Sequence, residues 1–219
     1  MSKKVLMVVT NHTKLTEGKT TGIWLSEFAE AYLEFTKNGY SVTVASPLGG
    51  LSAPDPGSIA EDTPQEFLDT KKQLQNTVKL DTVTHDAYDA IFLPGGHGAM
   101  FDLPENKKLQ MLLRNFYEAD KIVAAVCHGP AGLVGATLSN GQPLVAGKRV
   151  NAFTNSEEEQ TGLKPILPFL LESKLRDLGA IFVAAPNWTS HVETDGHLIT
   201  GQNPQSTVAV AQAVIKKLG

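Results

Sequence analysis

One cysteine occurs in the 219 residues of this chain, in the stretch 122-IVAAVCHGPAGL-133. Cys127 ends a run of small apolar residues and is followed at once by His128 and Gly129, so a potential nucleophile and a potential base are adjacent. Ala125 and Gly129 place small residues two before and two after the thiol. That is the steric requirement of a nucleophile elbow, where a strand turns sharply into a helix and only small flanks let the two approach. A helix start there would favour thiolate through its unpaired N–H groups and partial positive charge. The plain alternative is a core thiol, cysteine being among the most often buried residue types. The elbow flanks and the adjacent histidine favour the nucleophile.

Two further segments carry groups that such a thiol would need. In 93-LPGGHG-98 consecutive glycines follow a strand-like run. There the N–H of Gly95 or Gly96, with that of His128, would form a two-donor oxyanion hole. His97, like His12, falls at a strand end and is placed to line the site. Glu27 ends 20-TTGIWLSE-27. It is either one of a solvated stripe with Glu30 and Glu34 or a carboxyl with a raised pKa that points at the sulfur and shuttles protons. Trp188, beside Asn187, either closes one wall of a pocket or packs a loop. His85 and His197 read as surface residues.

These segments must be brought together by the fold. Val5 to Thr10, Ala90 to Leu93 and Ile122 to Val126 are continuous apolar runs, as expected of strands buried on both faces. Val42 to Ala45 is a shorter strand. Helical spacing marks Trp24 to Lys37, with Asn38-Gly39 as its stop, and Glu105 to Tyr117. Helices are also expected over Pro64 to Asn76, Pro130 to Ala136, Leu167 to Leu178 and Ser206 to Leu218. Further strands are expected at Arg149 to Phe153 and Ala180 to Ala184, and a hairpin around Asp195-Gly196. Ser46 to Asp62 reads as a loop. The alternation implies an α/β three-layer sandwich over 1–219, a mostly parallel sheet with helices on both faces. Chemistry in such sheets belongs at the carboxyl ends of the strands, after Thr10, Leu93 and Val126.

A composition of 42% hydrophobic and 19% charged residues suits one domain with a well-filled core, and the net charge of −4 leaves no basic field for nucleic acid or anionic lipid. The apolar run after Lys3-Lys4 is too short for a signal peptide, and no run approaches the length needed to span a bilayer. A lone cysteine makes no intrachain disulfide. These features point to the cytoplasm.

The segments AAVCHGPA, FLPGGHG, the Glu of TGIWLSE and TDGHLITGQNPQS together resemble the ThiJ/PfpI superfamily, from Val5 to the final helix. The resemblance implies a flavodoxin-like, class I glutamine-amidotransferase-like fold. Within it the chain is similar to the glutathione-independent glyoxalase III branch, whose members are also described as stress-inducible holdase chaperones and protein deglycases. The resemblance assigns Cys127 as nucleophile, His128 directly after it, Glu27 as the acid beside the cysteine, and Glu158 as the acidic third member. The run 157-EEE-159 offers Glu157 and Glu159 as rivals to Glu158. The implied substrate is a small dicarbonyl such as methylglyoxal, turned over without a cofactor, and the implied assembly is a homodimer. Larger members carry a lid domain and a metal site of two histidines and a carboxylate, for which no matching cluster is evident here. 190-SHVE-193 holds the His-x-Glu by which amidotransferases activate their cysteine, but its distance from the last helix argues against His191. Adjacent residues at a helix start project about 100° apart, which argues against His128 deprotonating Cys127. The rival functions are a chaperone or cysteine redox sensor and an amidase or peptidase.

Overall fold

A computed structural model describes residues 2–16 and 18–219. The chain runs β1 (Lys4–Val8), β2 (Lys14–Thr16), β3 (Lys19–Thr20), α1 (Leu25–Lys37), β4 (Ser41–Ser46), α2 (Gln65–Thr70), β5 (Val78–Lys79), β6 (Ala90–Leu93), α3 (Ala99–Asp102) and α4 (Lys107–Glu118). It continues through β7 (Ile122–Val126), β8 (Arg149–Val150), α5 (Asn155–Thr161), α6 (Leu171–Asp177), β9 (Ile181–Phe182), β10 (Val192–Asp195), β11 (Leu198–Gly201) and α7 (Thr207–Leu218).

Seven strands form a sheet in the order β10-β11-β7-β6-β1-β4-β5, and β10 alone is antiparallel to its neighbour. Side chains alternate across a strand, so each apolar run feeds two cores. Val5, Met7, Phe92 and Ala124 face α1 and α7, where Phe28, Phe35, Val210 and Val214 meet them. Leu6, Val8, Ile91 and Val123 face the opposite layer, packed by Leu109, Leu112 and Phe116 of α4 and Leu175 of α6. Phe28 and Phe35 are fully buried, and each such burial contributes roughly 1.5–3 kcal/mol. Helix α1 stops where the sequence reading put its stop, with Asn38 as C-cap and Gly39 at φ 76°. The Asn106 side chain caps α4 by accepting from the Leu109 N–H at 2.9 Å.

Three expectations change. The strands expected at 149–153 and 180–184 shrink to β8 and β9, which pair with each other outside the main sheet. The helix expected over 130–136 is a five-residue 3₁₀ stretch, Gly129–Leu133, because Gly129, Pro130 and Gly132 are poor α formers. Helix α5 follows the capping box of Thr154 and Glu157, a Thr-x-x-Glu pattern that the sequence reading passed over.

Candidate active site

The carboxyl ends of β1, β6 and β7 open beside one another, and the elbow sits at the end of β7. Cys127 has φ 59°, the left-handed region that a non-glycine residue enters at a strain of about 1–3 kcal/mol unless its surroundings hold it there. Two backbone bonds do so. The Cys127 N–H donates to Gly201 O of β11 at 3.0 Å, and the Cys127 carbonyl accepts from the Phe153 N–H at 2.9 Å. Gly129 is required by close approach, since a Cβ there would meet Leu93 O at 2.0 Å.

The turn overrides the expected divergence of neighbouring side chains. His128 Nδ1 lies 3.4 Å from Cys127 Sγ, and its Nε2 lies 2.7 Å from Glu158 Oε2. His97 Nε2 meets Glu158 Oε1 at 2.8 Å, and that oxygen also accepts from Thr161 Oγ1 at 2.9 Å. Burial raises the Glu158 pKa, but hydrogen bonds from His128 and His97 outweigh it and hold the carboxyl well below its usual range. An ionised carboxyl only accepts, so both imidazoles donate through Nε2. The Nδ1 of His128 is then a free lone pair turned toward the thiol. Burial, then the neighbouring His97, push the His128 pKa down to about 4, so the ring is neutral at pH 7.

Cys127 is 3% exposed. Burial pushes the thiol above its ordinary value, and an ionised Glu27 adds in the same direction. This corrects the expected helix-start thiolate: the 3₁₀ stretch is too short to offer a strong dipole, and desolvation wins. Glu27 is wholly buried rather than part of a solvated stripe. Its Oε2 accepts from the Gly95 N–H at 2.7 Å, Oε1 has no hydrogen-bond partner among the described residues, and the neighbouring Cys127 thiol favours the ionised carboxyl less than burial opposes it. Burial raises the Glu27 pKa to about 8, so at pH 7 it keeps its proton.

The Gly95 N–H is therefore committed to Glu27 and is not an oxyanion donor, another correction. A Cβ at Gly95 would lie 2.6 Å from His128 N and 2.8 Å from Glu27 Oε2, so glycine lets the three segments close up. The N–H groups of Gly96 and His128 have no oxygen acceptor among the described residues. Gly96, at φ 104°, lines a cavity of about 430 Å³ together with Glu27, His97, Cys127, His128 and Trp188.

The sequence matches the DJ-1/PfpI family over residues 3–217. The chain belongs to the DJ-1/PfpI family. It is 31% identical to glyoxalase 3 of Candida albicans, with 97% of each sequence covered. It is 33% identical to the glutathione-independent glyoxalase HSP31 of Saccharomyces cerevisiae, covering 99% of this chain and 98% of that one. The crystal structure of glyoxalase III from C. albicans superimposes with a TM-score of 0.91 at 30% identity, over 98% of this chain and 96% of that one. The Rapid Encystment Protein 24 KDa of Francisella tularensis superimposes with a TM-score of 0.94 at 34% identity, over 99% of both chains. The names of the glyoxalases support an enzyme. The three-layer fold with its mostly parallel sheet is that of the DJ-1/PfpI family and of class I glutamine amidotransferases.

Among the three glutamates at the start of α5, the structure turns only Glu158 toward the DJ-1/PfpI elbow. Glu159 is exposed and pairs with Lys164 at 2.7 Å. Glu157, wholly buried, ties the surroundings together. Its Oε1 accepts from Trp188 N at 2.8 Å, Gln202 Nε2 at 3.1 Å and Asn203 Nδ2 at 2.8 Å, and its Oε2 from Thr154 N at 3.0 Å. The Thr-x-x-Glu spacing was the signal for it. His191 lies outside the cavity lining, 3.0 Å from Glu193. His12 stacks on Phe101 at 4.5 Å instead of lining the site, and His85 and His197 pair with Asp86 and Asp120.

The reading that no two histidines and a carboxylate cluster is also corrected, because potential ligand atoms of His97, His128 and Glu158 lie within 4.8 Å of one another. Each of the two Nε2 atoms already donates to Glu158. A cation would have to displace both protons and break the hold on the elbow histidine, so the donor set does not fit a resident metal. No helix among the described residues is long and apolar enough to cross a membrane.

Proposed function

We propose that this chain is a glutathione-independent glyoxalase III-type lyase that converts methylglyoxal or a similar 2-oxoaldehyde to the 2-hydroxy acid. The carrying observation is the Cys127 sulfur 3.4 Å from His128 Nδ1, with the wholly buried Glu27 lining the same cavity as a second proton carrier. The reaction moves a hydrogen between adjacent carbons of one substrate and needs no redox partner.

Cys127 Sγ bonds to the aldehyde carbon as the thiol proton passes to His128 Nδ1. The developing oxyanion is held by the N–H groups of Gly96 and His128 and takes the Glu27 proton, giving a hemithioacetal and a Glu27 carboxylate. That carboxylate removes the hydrogen from the first carbon, while the His128 proton goes to the oxygen on the second, leaving an enediol. Glu27 then protonates the second carbon and recovers its proton from the first hydroxyl, which leaves a 2-hydroxy thioester. Water, deprotonated by His128, attacks the thioester; the C–S bond breaks, and the sulfur takes back its proton. All groups come from one chain, so the homodimer implied by the resemblance contributes no residue to this scheme. Protein deglycation would begin with the same addition. A redox-sensor role calls for a ready thiolate, and burial pushes this thiol in the opposite direction.

The test is to incubate the purified protein with methylglyoxal, without glutathione or added metal, and assay lactate. Lactate formation that disappears in Cys127→Ala is expected. No lactate from a folded protein ends the proposal.

A further inference from the structure

The cavity above the thiol is far larger than methylglyoxal. At about 430 Å³ it falls among sites that hold drug-sized ligands, roughly 300–1,000 Å³. Methylglyoxal's few heavy atoms, each of about the 30 Å³ that a water occupies in the liquid or less, would leave most of it empty. The cavity is also chemically divided. Its floor carries the reacting groups. Its apolar lining includes Trp24, Phe153, Leu163 and Trp188. Two polar residues of the lining are spoken for: Asp55 accepts from Thr21 Oγ1 at 2.9 Å and Gly57 N at 2.8 Å, and Thr161 Oγ1 donates to Glu158. Lys19 is exposed at the rim.

Trp188 is a second, independent observation. Its indole is 40% exposed, yet it is held with care. Its backbone sits at φ 60°, a strained conformation that persists only where the surroundings impose it and that clusters at ligand clamps. Its N–H is bonded by buried Glu157, its Nε1 donates to Gln160 at 2.6 Å, and its ring meets Phe153 edge-on at 5.5 Å. Phe153 in turn lies 4.5 Å from the His128 ring. A line of aromatic faces thus runs from the base to the mouth.

We infer that the cavity selects 2-oxoaldehydes whose second carbon carries a bulky apolar group, aryl or branched alkyl, in place of methyl. This rests on the glyoxalase reading of the site. The carbonyl pair reaches the floor, and the apolar group lies against Phe153 and under Trp188. Each apolar carbon placed in such a pocket is worth about tenfold in discrimination.

The experiment compares phenylglyoxal and methylglyoxal as substrates for the wild-type protein and for Trp188→Gly, a change that the positive φ tolerates. The chain's three arginines, Arg114, Arg149 and Arg176, lie outside the cavity lining, so arginine modification by phenylglyoxal leaves the site clear. The expected result is a kcat/KM at least tenfold higher for phenylglyoxal, with a ratio that collapses toward one in Trp188→Gly through a raised phenylglyoxal KM. Turnover of methylglyoxal with equal or poorer turnover of phenylglyoxal overturns this inference and leaves the glyoxalase reading standing. If neither is turned over, the glyoxalase reading fails, and binding decides the inference. Both tryptophans, Trp24 and Trp188, line the cavity, so their fluorescence reports occupancy. Mandelate should bind about tenfold more tightly than lactate to Cys127→Ala, and equal binding overturns the inference.

Discussion

His128 Nδ1 lies 3.4 Å from the Cys127 sulfur although the two residues are neighbours in the chain. The left-handed backbone of Cys127 at φ 59° makes this possible, because it rotates the strand's last side chain back over the ring that follows. The strain belongs to the position and not to the sulfur. Cys127→Gly should therefore be more stable than Cys127→Ala by about 1 kcal/mol, both being inactive. Chemical denaturation of the two variants measures it; an alanine variant as stable as the glycine one would mean that the elbow is unstrained.

Glu27→Gln keeps an oxygen for the Gly95 N–H and removes the transferable proton. The variant should fold normally and lose roughly 100-fold or more in kcat/KM, the usual scale of a positioned acid or base. Steady-state lactate assays, with a thermal melt to show that the fold is intact, check it. Substantial residual rate would remove Glu27 from the mechanism.

The same group sets a pH dependence of stability. The folded pKa of Glu27, about 8, lies above the ordinary carboxyl value of 4.5. The folded state therefore binds more protons than the unfolded one between those values, and stability contributed by neutral Glu27 is lost as pH rises toward 8. His128, depressed to about 4, acts oppositely, weakening the fold as pH falls from about 6.5 toward 4. Above pH 6.5 the Glu27 effect stands clear of it. Between pH 6.5 and 8 the wild type should lose about 2 kcal/mol relative to Glu27→Gln, at 1.36 kcal/mol per pH unit. Urea melts of both proteins across that interval test the slope; parallel curves would contradict the raised pKa.

Glu157 accepts from backbone and side-chain donors on three segments. Glu157→Gln turns an amide group toward donors. It should cost about 2–3 kcal/mol, the scale of buried polar groups left unpaired, and lower kcat by about tenfold through displacement of Glu158. A melt and a rate assay on the same preparation would show both effects together; loss of stability with an unchanged kcat would confine Glu157 to a structural role.

Apolar runs and small flanks make the sheet, the elbow and the strand-end position of the site legible in the sequence. Cys127, His128, Glu27 and Gly96 all line one cavity. What the sequence did not reveal depends on geometry across segments. The use of the Gly95 N–H by Glu27 follows from a 68-residue separation closed by the fold. The clustering of His97 with His128 on Glu158 needs the ends of β6 and β7 to meet helix α5. The thiol's protonation state depends on burial, which the local helix-start pattern does not encode. Glu157 was the exception, since its capping spacing was present in the sequence. The hairpin of β2 and β3 shows no apolar alternation and gave no signal.

The Cys127 N–H is bonded to Gly201, a residue of β11 that the chain supplies near its end. A nascent or truncated chain that stops short of β11 lacks the partner that fixes the thiol's backbone, and one that stops before Asn155 also lacks Glu158. The geometry of the thiol is thereby coupled to closure of the sheet: the elbow is fixed from this side only once β11 has joined β7.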